Sequence, residues 1–224
     1  MRVPQLSNGR GSLKWIQVAV NDFPSVIDSA IHETGVVASD DAISWLSPLR
    51  DDEFAEYSDQ DFLDRLSITL PRRSLESFWP KRGPQWDALG RTDSGAVLIV
   101  EAKANVPEVV SPGTQASSQS RELIDASIAE TKAFLGIDPD IRWTGKLYQY
   151  ANRLAHLYLL RELNGFDARL LNVYFVGDED VDGPKTVAEW KSALTVVKRV
   201  LGLPNNHRLA RYAADVLVDV ANLN

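Results

Sequence analysis

An apolar run that ends in a charged pair places the strongest constraint on the fold. Ala96-Val97-Leu98-Ile99-Val100 has the length of a strand, and it leads directly into Glu101-Ala102-Lys103. Because no polar residue interrupts the run, we expect the strand Ala96 to Ala104 to be buried on both faces. The preceding Gln85 to Leu89 also predicts a strand, and the turn formers of Gly90 to Gly95 join the two segments. The sequence therefore predicts a β-hairpin.

The hairpin brings charged side chains together. A turn that is symmetric about Ser94 places Asp87 opposite Glu101, with Cβ atoms about 5 Å apart. Lys103 lies two positions further along and points the same way as Glu101, whereas Ala102 faces the other side of the sheet. A bulge in the loop would shift this register by one residue.

Two opposed carboxylates in a buried setting repel each other unless a positive charge lies between them. Oxygen ligation without cysteine or a histidine pair favours Mg²⁺ or Mn²⁺ over zinc. Lys103 is then placed to hold an attacking water molecule or to help deprotonate it, while the metal polarises a phosphoryl oxygen. The arrangement of Asp87, Glu101 and Lys103 favours phosphodiester hydrolysis.

Pro84-Gln85-Trp86-Asp87, a hairpin and then Glu101-Ala102-Lys103 resemble the signature of the PD-(D/E)xK nuclease superfamily. The proline departs from the pattern, since it lies three residues before Asp87. The resemblance implies a restriction endonuclease-like core, an α/β/α sandwich with a mixed central sheet. It also implies that Asp87, Glu101 and the carbonyl of Ala102 bind Mg²⁺, that Lys103 serves the nucleophile, and that the substrate is nucleic acid, with DNA expected.

Members of this superfamily often add a glutamate from an earlier helix. The acidic, amphipathic segment Asp51 to Leu66 predicts such a helix, and we expect Glu56 to supply the carboxylate. Glu53 and Glu76 are the alternatives.

A glutamine from a later helix is also common in the superfamily. Thr144 to Leu163 predicts a helix with a buried stripe. A polar stripe lies beside it and consists of Gln149, Asn152, Arg153 and His156. Gln149 is the expected glutamine, and Arg153 is expected to meet a phosphate. The alternative is an ordinary solvated helix face.

Charge and composition set limits on partners and location. The net charge is −7, so the molecule as a whole does not attract phosphate backbones, but Lys81 and Arg82 can form a local positive rim that binds nucleic acid. The chain has no cysteine, its start lacks the apolar core of a signal peptide, and its apolar runs fall far short of the ~20 residues that cross a bilayer. These features predict a cytoplasmic protein with no membrane partner; homodimerisation stays open.

The rest of the chain predicts an α/β domain. Met1 to Gly11 is expected to be a flexible tail, and residues 12–224 a single domain without an internal linker. Pro24 to Thr34 and Val187 to Leu201 predict helices, and Ser12 to Val20 suits either a helix or a strand. Two further strands are expected at Leu170 to Val176 and Asp215 to Val220, which completes the sandwich.

An acidic loop offers a competing metal site. The spacing of the EF-hand calcium loop is met by Asp178, Asp180, Asp182, Gly183 and Glu189. An EF-hand needs a helix before the loop, however, and Arg169 to Val176 predicts a strand. A strand-to-helix loop with Thr186 as the helix cap is the preferred interpretation.

Two classes of function therefore compete. The first is a Mg²⁺-dependent deoxyribonuclease that uses Asp87, Glu101 and Lys103. The second is a catalytically inactive relative of the same fold that binds nucleic acid or protein. In a third, purely structural interpretation, Asp87 is a turn residue and the other two form an exposed pair at a strand end.

Overall fold

The computed structural model describes residues 1–111 and 113–224. The strands are β1 (Arg2–Val3), β2 (Ile43–Ser47), β3 (Glu56–Tyr57), β4 (Ala88–Thr92), β5 (Val97–Lys103), β6 (Ala168–Val176) and β7 (Ala213–Asp219). The helices are α1 (Gly11–Asn21), α2 (Pro24–Glu33), α3 (Asp59–Arg65), α4 (Leu75–Phe78), α5 (Ser118–Leu135), α6 (Tyr148–Tyr158) and α7 (Val187–Val200). A π-helical turn, Leu159–Leu163, extends α6.

The fold is α/β, with a mixed five-stranded sheet in the order β2-β4-β5-β6-β7. Strands β2, β4 and β5 are antiparallel, while β6 is parallel to β5 and β7 is parallel to β6. In the hairpin, Ala88 pairs with Val100 and Leu89 with Ile99. This is the register expected from a turn about Ser94. Gly90 to Thr92, expected in the turn, belong to β4, whereas Asp87 lies just before the strand and its N–H donates to the Val100 carbonyl. The predicted hairpin is therefore confirmed.

Helices cover both faces of the sheet. Strand β5 has apolar side chains on both of its faces, and each face packs against a different set of helices. Val97 and Ile99 join a core formed with α5, α6 and α7. Leu98 and Val100 join a second core formed with α1 and α2. The charged residues that follow on β5 are thus held at the end of a strand that is buried on both faces, where polar groups need partners.

Several elements agree with the sequence. Helix α2 confirms the prediction at Pro24 to Thr34, and β7 confirms the last strand. Helix α7 is capped by Thr186, whose Oγ1 accepts a hydrogen bond from Glu189 N at 3.2 Å. The acidic loop before it is entered from strand β6, so the EF-hand interpretation is wrong and the strand-to-helix loop is confirmed.

Two expectations near the N-terminus differ from the structure. The expected flexible tail contains β1, in which Arg2 pairs with Tyr57 of β3, and the Arg2 guanidinium bonds Asp52 at 2.9 Å. The expected Asp51 to Leu66 helix is broken into a 3₁₀ turn, β3 and the short α3. The physical reason is backbone conformation, since Glu53, Phe54 and Asp59 all have positive φ, which interrupts a right-handed helix.

Among the residues that the structure describes, no helix has both the length and the apolar character needed to cross a bilayer.

Candidate active site

A cleft of about 380 Å³ opens at the end of β5, between the hairpin and the start of α6. Asp87, Glu101 and Lys103 all line it. The strand delivers Glu101 and Lys103 to one face because they are two positions apart. The third, structural interpretation of these residues is wrong for Glu101, which is only 6% exposed.

Asp87 is fixed to the neighbouring strand. Its backbone N–H donates to the Val100 carbonyl at 3.1 Å, and its side-chain Oδ2 accepts the Ala102 N–H at 2.6 Å. A carboxylate held by a backbone donor has little rotational freedom, so Asp87 is presented to the cleft in one orientation.

Glu101 is held by a cation on each of its oxygens. Lys103 Nζ lies 2.5 Å from Oε1, and Arg153 Nε donates to Oε2 at 2.6 Å. The Arg153 guanidinium also donates to the Gln85 carbonyl at 2.8 Å and lies over the Trp86 ring, 4.8 Å from its centroid. Charge-assisted bonds of this kind are short and strong, so the arginine joins α6 to the hairpin at the Glu101 carboxylate.

Burial and neighbouring charges shift the pKa values of Asp87, Glu101 and Lys103. Burial raises the pKa of Asp87 well above its usual range, and the nearby Glu101 carboxylate raises it further. Burial alone would also raise the pKa of Glu101, but Arg153 and Lys103 outweigh it and lower that pKa. Burial opposes the charge of Lys103, yet attraction to Glu101 and Asp87 raises its pKa. Lys103 is therefore an ammonium group, and Asp87 is the more readily protonated of the two carboxyls.

Glu56 lies on β3 rather than on the predicted helix, for the conformational reason given above. Its carboxylate accepts hydrogen bonds from Gln5 and Gln85, and it is only 6% exposed. Burial raises the pKa of Glu56, and the Glu101 carboxylate raises it further. Glu56 thus supports the segment that precedes Asp87 and is not among the residues that line the cleft.

The polar stripe of α6 is turned inward. Gln149 lines the cleft beside Glu101 and Lys103, as the superfamily pattern implies. Asn152, Arg153 and His156 are each 5% exposed or less, so the solvated-face alternative is wrong for them. Arg153, which was expected to meet a phosphate, lines the cleft and forms an ion pair with Glu101 that compensates its buried charge.

Lys81 and Arg82 are exposed, and Arg82 reaches the rim of the cleft. Arg82 has φ of +65°, and the Asp59 carboxylate accepts both its N–H, at 3.2 Å, and the Gly83 N–H, at 2.9 Å. These bonds hold Arg82 in a conformation that side-chain-bearing residues seldom adopt.

The donor set fits a hard divalent cation that binds together with a phosphate. Within residues 1–111 and 113–224, no cluster of three or more His, Cys, Asp or Glu side chains is arranged to hold a metal ion. Protein sites for Mg²⁺, however, use one or two carboxylates, with water and phosphate oxygens as the other ligands. Asp87 and Glu101 meet this requirement, provided that Glu101 exchanges one of its ion pairs for the metal.

The sequence did not indicate two aromatic residues of the cleft. Trp79 and Tyr148 both line it. The aromatic and basic residues in Trp79-Pro80-Lys81-Arg82 were the available signal, because that pairing is typical of surfaces that bind single strands.

Fold and cleft together define an α/β protein with a buried acid, acid and lysine group at the end of a central strand. Comparison of the chain with known protein families, curated protein sequences and solved structures gives no match.

Proposed function

We propose that the chain is a metal-dependent nuclease with a restriction endonuclease-like core, and that it hydrolyses phosphodiester bonds in DNA. The observation that carries the proposal is the convergence of Asp87, Glu101 and Lys103 on one cleft. The mixed sheet, the hairpin and the cleft-lining Gln149 on the following helix support the same assignment.

Each residue has a distinct part in the proposed reaction. Asp87, Glu101 and the Ala102 carbonyl would hold Mg²⁺ or Mn²⁺, which supplies polarisation of a phosphoryl oxygen and neutralises charge on the leaving group. Lys103 is ion-paired with Glu101, so it acts as a hydrogen-bond donor that holds the attacking water. Gln149, which lines the same cleft, would orient this water, and Arg153 fixes the position of Glu101.

One observation favours the second candidate, a catalytically inactive relative that binds nucleic acid or protein. Both oxygens of Glu101 are engaged by cations of the chain itself, Lys103 and Arg153. A group that is neutralised from within is stable without a metal. The two candidates therefore differ in whether a divalent cation binds at Asp87 and Glu101.

Incubation with single- and double-stranded DNA, in Mg²⁺ or Mn²⁺ and in EDTA, tests the proposal. We expect cleavage that needs the metal and falls by at least about 100-fold in Asp87→Asn and in Lys103→Met. Arg72→Ala is the matched control. Arg72 is exposed and lies beside Gly165, near the start of β6, about 20 Å from Lys103 along the strands.

Cleavage by Arg72→Ala should stay within about twofold of the wild type, because surface substitutions of this kind change little. Activity that survives in both Asp87→Asn and Lys103→Met would contradict the proposal. Titration with Mn²⁺ separates the two candidates, since the binding module would show no uptake that depends on Asp87.

A further inference from the structure

The catalytic cleft continues into a second compartment of about 550 Å³. Trp79, Arg82, Gly113 and Tyr148 line both spaces. A volume of this size lies within the range of pockets that hold small organic ligands. A chain that occupies the cleft can therefore extend into the second compartment without leaving the protein surface.

Two aromatic rings line both spaces. The Tyr148 and Trp79 rings are nearly parallel, at 20°, with centroids 6.3 Å apart. Trp79 is only 3% exposed and makes an edge contact with the His156 ring at 4.9 Å, so it is immobilised from behind. Tyr148 is half-buried and is thus a flat ring with a rigid support.

The rest of the second compartment combines basic, hydroxyl-bearing and apolar residues. Lys81 and Arg82 supply positive charge, Ser117 and Ser120 supply hydroxyl groups, and Ile124 is apolar. The Asp59 carboxylate holds the Arg82 backbone at its positive φ, as described above. Arg82 and Gly83 each donate a backbone N–H to this carboxylate. A strained backbone conformation that its surroundings hold in place is a common feature of binding sites.

We propose that this compartment binds an unpaired nucleotide of a single strand, with its base on Tyr148 and its phosphate between Lys81 and Arg82. The inference rests on the proposed nuclease function, because it places this nucleotide next to the phosphate that is cut. A base inside a duplex is paired and stacked on its neighbours, so it cannot reach a side-chain ring without being extruded. Single strands, in contrast, are held by aromatic rings and backbone cations without regard to sequence.

The overall charge supports the choice of a single strand. At −7, the molecule gives duplex DNA no general attraction, so binding must come from local contacts. Stacking on an aromatic ring is such a contact, and it is available to DNA and RNA alike.

Binding can be tested apart from cleavage by using Asp87→Asn in EDTA. Fluorescence anisotropy with a labelled 12-nucleotide oligothymidylate, an oligouridylate of the same length and a DNA duplex compares the three ligands. We expect at least one single strand to bind about tenfold or more tightly than the duplex, and the two single-stranded probes to show whether DNA or RNA is preferred.

Adding Tyr148→Leu should weaken binding of the single strand about 10- to 100-fold, whereas Tyr148→Phe should keep it within about threefold. Leucine fills the space without a flat ring, so an unfolded protein is not expected, and circular dichroism checks this. Arg82→Gly should reduce the slope of the logarithm of the binding constant against the logarithm of salt concentration by about one, as expected for the loss of one phosphate contact. Arg72→Ala should leave this slope unchanged.

Equal binding by Tyr148→Leu and Tyr148→Phe, or binding of the duplex as tightly as the single strands, would overturn the inference. Because Asp87→Asn is used throughout, the two proposals fail separately. Single-strand binding that depends on Tyr148, in a protein that cleaves no nucleic acid, would support the nucleotide-binding compartment and contradict the proposed nuclease function.

Discussion

Replacing Arg153 with methionine removes the guanidinium group and keeps most of the side-chain volume. The side chains of Arg153 and Glu101 are only 5% and 7% exposed, so neither charge has bulk water as an alternative partner. Breaking a buried pair by removal of one partner costs about 3–5 kcal/mol. Lys103 remains 2.5 Å from Glu101 Oε1 and compensates part of the loss. We therefore expect the free energy of unfolding to fall by about 3 kcal/mol.

Urea unfolding in EDTA measures this change, and a double-mutant cycle assigns it. Arg153→Met combined with Glu101→Gln removes both charges, so the double variant should be more stable than the sum of the single changes predicts, by about 2 kcal/mol. The slope of the unfolding free energy against urea concentration should be the same in the wild type, the two single variants and the double variant. A loss below about 1 kcal/mol for Arg153→Met, or simple additivity, would refute the argument that a buried ion pair joins α6 to the hairpin.

Two further predictions concern stability. Burial lowers the pKa of His156 from 6.5 to about 3, so the unfolded chain binds the proton more readily and stability declines as the pH falls from 6.5 towards 3, by about 1.4 kcal/mol per pH unit. Urea unfolding between pH 7 and pH 4 should show this slope in the wild type and a shallower one in His156→Gln; equal slopes would contradict the assignment. Thr186→Ala removes the cap of α7, where Oγ1 accepts the Glu189 N–H, and should cost about 1 kcal/mol. Thr186→Ser should retain most of that stability, and thermal melting that is the same in all three proteins would show that the cap contributes nothing.

The hairpin could be predicted because its determinants are local. The turn formers Asp93, Ser94 and Gly95 close the hairpin, and the apolar run before Glu101 indicates a buried strand. Charged residues two positions apart must then share a face of the sheet. The same logic held for β6 and α7, where a strand pattern and a capping threonine lie close together in the sequence.

Other parts of the site depend on contacts between distant residues. Arg153 follows the pattern of a solvated helix face, but its contacts with Glu101, 52 residues earlier, and with Gln85 and Trp86 hold it inward. The positive φ values of Glu53 and Asp59 interrupt a segment whose side-chain pattern suits a helix. Strand β3, and with it Glu56, is fixed by pairing with the N-terminal residues, which no short pattern could indicate.

The buried charges suggest how metal and substrate would bind under the proposed function. Asp87, Glu101 and Glu56 provide three carboxyl groups, while Arg153 and Lys103 provide two cations, so the fully ionised group carries one surplus negative charge. A proton removes that surplus, in accord with the raised pKa of Asp87. A divalent cation instead leaves one surplus positive charge, which a phosphate diester neutralises. We therefore expect the metal to bind weakly alone and more tightly with nucleic acid, because only the two together restore neutrality in a setting where an uncompensated charge is costly.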